Sequence, residues 1–139
     1  GLLHKNEDDA LFEEWFITWV RTAFRAKGNK KAINPLLTWS ETIAKSGRET
    51  QKRFLEYCQN FFRQALLINY NTPELVYLQP QTSGFDINKF APFVHENNIL
   101  QINEALQDAM YHIERNGNPK IILSDLSIKL TRFLHTKSA

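Results

Sequence analysis

Residues 111–120 read "YHIERNGNPK", and they predict that one helix ends and another begins with almost no loop between them. Arg115 closes a helical pattern, and Gly117 can adopt the left-handed conformation that ends a helix. Asn118 is a good cap for the next helix, and Pro119 suits the first position of that helix. The residues expected to shape this sharp corner are Asn116, Gly117, Asn118 and Pro119.

Helical periodicity continues on both sides of this corner. Upstream, from Asn98 to Asn116, the apolar residues fall in a stripe only about 100° wide, with Tyr111 on the opposite side. Downstream, the final helix has a broad apolar face, and Ile121 and Ile128 lie about opposite to it. The last helix therefore has apolar surface on two sides, which is more than one core requires.

Helical patterns also cover most of the chain before the corner. Helices are expected from Asn6 to about Ala26, from Asn34 to about Ser46, and from about Arg48 to Tyr70, with Asn6 and Asn34 as caps and Pro35 after the second cap. A short helix is expected from about Asp86 to Glu96, with a kink or an early stop at Pro92. Residues 71–85 contain Pro73, Pro80 and Gly84, and they predict one long connection that the apolar residues 75–78 anchor. The predicted fold class is all-α, a single bundle of five to six helices over residues 1–139.

The first helix has an unusually wide apolar face. Its apolar residues cover roughly 220° of the circumference, far more than a surface helix needs. This width has two explanations: the helix is buried on two sides, or part of its aromatic face, including Trp15 and Trp19, meets a partner.

The composition is that of an ordinary globular domain. The 139 residues are 42% hydrophobic and 23% charged, with a formal net charge of +2. Cys58 is the only cysteine, so no disulfide or cysteine-based zinc site can form within the chain, and a cytoplasmic location fits. No apolar run is long enough to span a membrane, and the first residues are too short for a signal peptide. Because an initiator methionine is lacking, we expect a fragment of a longer protein.

The sequence contains no catalytic or cofactor-binding motif. The four histidines, His4, His95, His112 and His135, do not show zinc-ligand spacing. The glycines are isolated, so a phosphate-binding loop is absent. Cys58 lies on the apolar side of its helix and is expected in the core. We therefore expect a non-catalytic chain without a metal or cofactor.

Nucleic-acid binding is an alternative that the residues leave open. Trp15, Trp19 and Arg21 share the first helix, and aromatic and basic side chains together form stacking platforms for single strands. The densest basic stretch runs from Arg25 to Lys31, but a solvated helix end and loop explain it more simply. Tryptophans four residues apart on an amphipathic helix also face a core or a protein partner more often than a base.

The stretch "YHIERNGNPKIILSDLSIKL" (111–130) resembles the C-terminal segment of the delta-prime subunit of the bacterial DNA polymerase III clamp loader. In that family a helix ends in an Ile-Glu-Arg-Asn-Ala-Asn-Pro-Lys type of sequence and is followed by a Leu-rich closing helix. Residues 46–70 and 90–106 are similar to versions of this subunit that have extended C-terminal regions. The resemblance covers the chain from about residue 36 onward and is looser in the first helix. Gly117 stands where alanine is usual, which suits a helix end.

This resemblance implies a collar domain. In clamp loaders the C-terminal helical domains of the subunits form a ring, which holds together the ATPase modules that place the sliding clamp on primed DNA during replication. The family's ATPase-like N-terminal region, with its cysteine zinc module and Ser-Arg-Cys motif, is missing from this chain. The implied partners are the ATPase and delta subunits, with DNA contacted only indirectly and no membrane. Because those subunits also end in collar domains, the collar of another clamp-loader subunit is a further alternative.

The residues that we expect at subunit contacts combine the corner with the surplus apolar faces. Arg115, Tyr111 and Lys120 are candidates for polar or rim contacts, because they flank the corner on its solvent side. The complete set of candidates is Trp15, Trp19, Tyr111, Arg115, Lys120, Ile121 and Ile128.

Overall fold

The computed structural model describes residues 2–26, 31, 33–70, 73–76, 80–82 and 84–137, with the backbone alone for 2–7 and 73. These residues form six α-helices, and no strand is found among them. The helices are α1 (Leu2–Arg25), α2 (Ile33–Ala44), α3 (Arg48–Asn69), α4 (Ile87–Phe90), α5 (Ile99–Glu114) and α6 (Pro119–Leu134). Two 3₁₀ turns cover Pro73–Leu75 and Ala91–Phe93. The all-α class predicted from the sequence is confirmed.

Two helices begin earlier than the sequence predicted. The helix α1 starts at Leu2 and runs through Asn6, so the expected cap at Asn6 is wrong. The helix α2 starts at Ile33, which makes Pro35 its third residue instead of its first. A proline is tolerated there because the N–H groups of the first turn have no partner within the helix.

The segment between α3 and α5 follows the prediction in part. The carboxylate of Asp86 caps α4 by accepting a hydrogen bond from the Asn88 N–H at 2.9 Å. The α-helix stops at Phe90 and a 3₁₀ turn covers Ala91–Phe93, so the early stop expected near Pro92 is confirmed and the extension of this helix to Glu96 is wrong. Leu75 is 58% exposed, so the prediction that it anchors the long connection is wrong. Residues 77 and 78 of that expected anchor lie outside the described residues.

The core is formed by the inward faces of the five longer helices. The helix α6 packs against α1, α2 and α5, whereas α3 packs mainly against α5. Between α1 and α3 the rings of Phe16 and Phe61 lie 4.0 Å apart, and Phe62 meets Phe16 edge-on at 5.2 Å. Cys58 is fully buried, as the sequence predicted.

Trp19 lies where α1, α2 and α6 meet. Its ring stacks on that of Trp39, with the centroids 4.6 Å apart and the planes within 4°. Its indole N–H donates a hydrogen bond to Ser127 Oγ at 2.9 Å, and its side chain is fully buried. The prediction that Trp19 contacts a partner is therefore wrong. The apolar face of α1 is wide because Phe16 faces α3 while Trp19 faces α2 and α6.

Candidate functional site

The corner between α5 and α6 spans only residues 115–118. The left-handed conformation falls on Asn116, with φ 65°, so the sequence prediction for Gly117 is wrong in this detail. The N–H of Asn116 donates to the Ile113 carbonyl at 3.2 Å, and that of Gly117 donates to the His112 carbonyl at 2.9 Å. These two bonds make a Schellman motif, which places its left-handed residue one position earlier than we predicted. Asparagine adopts this conformation more readily than most other residues.

Position 117 requires glycine because a side chain there would be too close to other atoms, and not because of a positive φ. A Cβ there would lie 2.7 Å from Ile122 Cδ1 and 2.9 Å from the His112 carbonyl oxygen. On the other side of the corner, Asn118 Oδ1 accepts a hydrogen bond from the Ile121 N–H at 3.1 Å, and Pro119 is the first residue of α6. The predicted cap and proline are thus confirmed.

Two ion pairs tie the corner to the rest of the bundle. At the end of α5, Glu114 Oε1 lies 2.7 Å from Lys52 Nζ on α3. At the start of α6, Lys120 Nζ lies 2.9 Å from Glu41 Oε1 on α2. The hydrogen bond and positive charge of each lysine lower the pKa of its glutamate partner. The amine of Lys120 therefore points toward α2. Each ion pair links one helix end at the corner to a neighbouring helix.

An exposed strip of alternating apolar and charged residues runs along the outward face of α6. Ile121 and Ile128 are 66% and 45% exposed, and Asp125 and Arg132 lie one turn further along the same face. We call these four residues the α6 strip. The buried residues of α6 occupy the opposite face and are Leu123, Leu126, Ser127, Leu130 and Leu134. The exposure predicted for the two isoleucines is confirmed.

Tyr111 and Arg115 form one exposed unit at the end of α5. The Arg115 guanidinium lies over the Tyr111 ring, 4.4 Å from its centroid, and Tyr111 is 50% exposed. This distance fits a cation–π contact. A cavity of about 280 Å³ between α5 and α6 is lined by His112 on one helix and by Ile121 on the other. His112, the residue after Tyr111, therefore lies across this cavity from Ile121, the first residue of the α6 strip.

Trp15 lies apart from this face. Its half-buried side chain borders a groove between α1 and α2 with a volume of about 530 Å³. Threonines at four-residue spacing also line this groove, and they were not among the contact residues predicted from the sequence. Their regular spacing, from Thr18 to Thr22 and from Thr38 to Thr42, was the signal available.

The nucleic-acid alternative requires Trp15, Trp19 and Arg21 to share one exposed surface on α1. Trp19 is instead buried, and the Arg21 guanidinium lies 5.8 Å from the centroid of the Phe85 ring. Trp15 packs edge-on against Phe54 at 5.4 Å. Trp19 is therefore not part of a stacking surface with Trp15 and Arg21. Of the basic stretch, residues 27–30 lie outside the described part of the chain.

His95 and Cys58 occupy buried, structural positions. His95 is buried, and its Nδ1 accepts a hydrogen bond from the Asn97 N–H at 3.2 Å while its Nε2 lies 3.0 Å from the Thr136 carbonyl oxygen. These partners fit a neutral ring with its proton on Nε2. Burial raises the pKa of the Cys58 thiol, so the reactive thiolate is disfavoured.

Over the described residues, no group of three or more His, Cys, Asp or Glu side chains could hold a metal ion. None of the described helices combines the length and the apolar character needed to cross a bilayer. No family model, curated protein or solved structure matches this chain. Its function is therefore inferred from the surfaces described above and from the resemblance of residues 111–130.

Proposed function

We propose that this chain is a non-catalytic oligomerisation domain, the collar of a clamp-loader delta-prime subunit. In this role it packs against the C-terminal domains of the ATPase and delta subunits, in the complex that loads the sliding clamp onto primed DNA. The observation that carries the proposal is the α6 strip. Two isoleucines stand exposed on a helix whose opposite face is fully buried.

An exposed pair of residues at the end of α5 also supports an interface. Tyrosine and arginine are enriched at protein–protein interfaces, and Tyr111 and Arg115 form an exposed pair close to the corner. The Schellman motif and the cap on Asn118 fix the angle between α5 and α6. A fixed angle means that both helices present their outward side chains without a further ordering cost on binding.

The test uses the full chain and the collar region of the ATPase subunit from the same organism's clamp loader. The mass of the mixture is measured by light scattering after gel filtration. We expect a defined complex with the wild type and its loss in the Ile121→Asp/Ile128→Asp variant, because each buried aspartate would cost about 2 kcal/mol or more. The matched control is Leu75→Asp, which places the same charge on an exposed aliphatic residue outside the α6 strip and should leave the complex intact.

Circular dichroism of the double variant should be unchanged, because both substituted positions are solvent-exposed in the isolated chain. An intact complex with the double variant would remove the α6 strip from the interface. If the wild type forms no complex but binds single-stranded DNA with steep salt dependence, the nucleic-acid alternative replaces the collar. A complex with a delta-prime subunit instead would identify the collar of another clamp-loader subunit.

A further inference from the structure

The groove between α1 and α2 is bordered by one row of polar residues on each helix. Each row has members four residues apart, so that they lie one above another on their helix. The rows are Glu14, Thr18 and Thr22 on α1, and Asn34, Thr38 and Thr42 on α2. Trp15 and Trp39 also line the groove, and Trp39 is almost completely buried.

Most of the polar groups in this groove are already satisfied inside the chain. The hydroxyls of Thr22, Thr38 and Thr42 donate to the carbonyl four residues earlier, at 2.6, 3.1 and 3.1 Å. The indole N–H of Trp39 donates to the Trp15 carbonyl at 2.9 Å. The hydroxyls of the exposed Thr38 and Thr42 are thus already occupied, so the methyl group is the part of each side chain left to make new contacts. Together with the half-buried indole of Trp15, these methyl groups make the surface more apolar than its sequence indicates.

The shape of the groove suits a helix. Each row extends over nine residues, so that its first and last members are about 12 Å or two turns apart. Rows at four-residue spacing form the ridges and grooves by which helices pack on one another. Peptide helices bind such grooves through an apolar face with anchors spaced by three and four residues.

Charge adds a second requirement for the occupant. Among the described residues that line the groove, Glu14 is the only charged one, and it is exposed at the end of the α1 row. A lysine or arginine on the incoming helix would complement it. We infer that the groove receives an amphipathic helix from a neighbouring protein chain, with its apolar face on Trp15 and the exposed threonine methyls and a basic residue beside Glu14.

The groove and the α6 strip have no residue in common. The chain can therefore contact one neighbour through each surface, as in side-by-side assemblies that use two different patches. Trp15 is the predicted contact residue that borders the groove. The identity of the neighbouring chain rests on the proposed function, whereas the chemistry required of its helix does not.

The test introduces a long charged side chain into the groove and measures affinity for the collar region of the delta subunit, because the ATPase-subunit collar is the partner used to test the α6 strip. Thr38→Arg is exposed and replaces threonine by a better helix former, so the fold is retained. We expect this variant to weaken the complex at least tenfold. The control is Gln101→Arg, which adds the same side chain to an exposed position on α5 and should change the affinity less than twofold. Glu14→Lys should also weaken binding, more strongly at low salt.

A photo-crosslinking residue placed at position 42 identifies what enters the groove. The inference requires crosslinks to one helical segment of the partner that carries a lysine or arginine. Crosslinks confined to an acidic or non-helical segment contradict it. Full affinity of Thr38→Arg would overturn the groove as an interface while leaving the proposed function intact. Absence of any complex with the wild type would overturn both.

Discussion

At the corner, the adjacent residues Asn116 and Gly117 have different roles in ending α5. Asn116 takes the left-handed conformation, which leaves Gly117 to pass close to α6 and to the last turn of α5. The sequence correctly indicated that a glycine and two asparagines end one helix and cap the next. It did not show which residue has positive φ, because both Asn and Gly adopt that conformation and the choice depends on where the last helical hydrogen bond falls.

Gly117→Ala should destabilise the protein by about 1–3 kcal/mol, because the new Cβ would overlap both Ile122 and the His112 carbonyl. The free energy of unfolding is obtained from urea denaturation. Asn116→Gly serves as the control and should change it little, since glycine is the usual residue at that position of the motif. If Gly117→Ala unfolded at the wild-type urea concentration, the close approach of α6 to residue 117 would be refuted.

At the scale of helices, local patterns predicted the bounds of α3 and α5 and the start of α6 closely, because the apolar spacing and the capping residues lie within each segment. The starts of α1 and α2 were predicted too late, because Asn6 and Asn34 were interpreted as caps whereas each lies inside its helix. Contacts between helices were not readable in the same way. Trp19 was expected at a partner surface, yet its hydrogen-bond partner is Ser127, 108 residues further along the chain.

Ser127→Ala should destabilise the protein by about 1–3 kcal/mol, because the buried Trp19 N–H would lose its acceptor. Guanidinium denaturation measures this change, with Ser124→Ala on the same helix as a control that should cost much less. In a Trp19→Phe background the donor is absent, so the additional cost of Ser127→Ala should shrink. Equal costs in both backgrounds would mean that this hydrogen bond does not hold α1 against α6.

For the whole molecule, the two proposed interfaces require that all the longer helices hold their positions together. The corner lies between α5 and α6, whereas the groove lies between α1 and α2, and α6 packs against α1, α2 and α5. If the bundle unfolds as one cooperative unit, a substitution that destabilises the corner should also make the core around α3 open more often. Cys58 allows this to be measured, since it is fully buried on α3.

Cys58 should react very slowly with a thiol reagent in native buffer, because burial both blocks access and raises its thiol pKa. An exposed cysteine placed at position 101 in a Cys58→Ala chain provides the fast reference rate. In the cooperative case Gly117→Ala should speed the labelling of Cys58 by about tenfold for each 1.4 kcal/mol of lost stability, since labelling requires global opening. Labelling at the reference rate in the wild type would show that α3 opens locally. A Gly117→Ala chain that is less stable but labels no faster would show that the corner unfolds separately from the core.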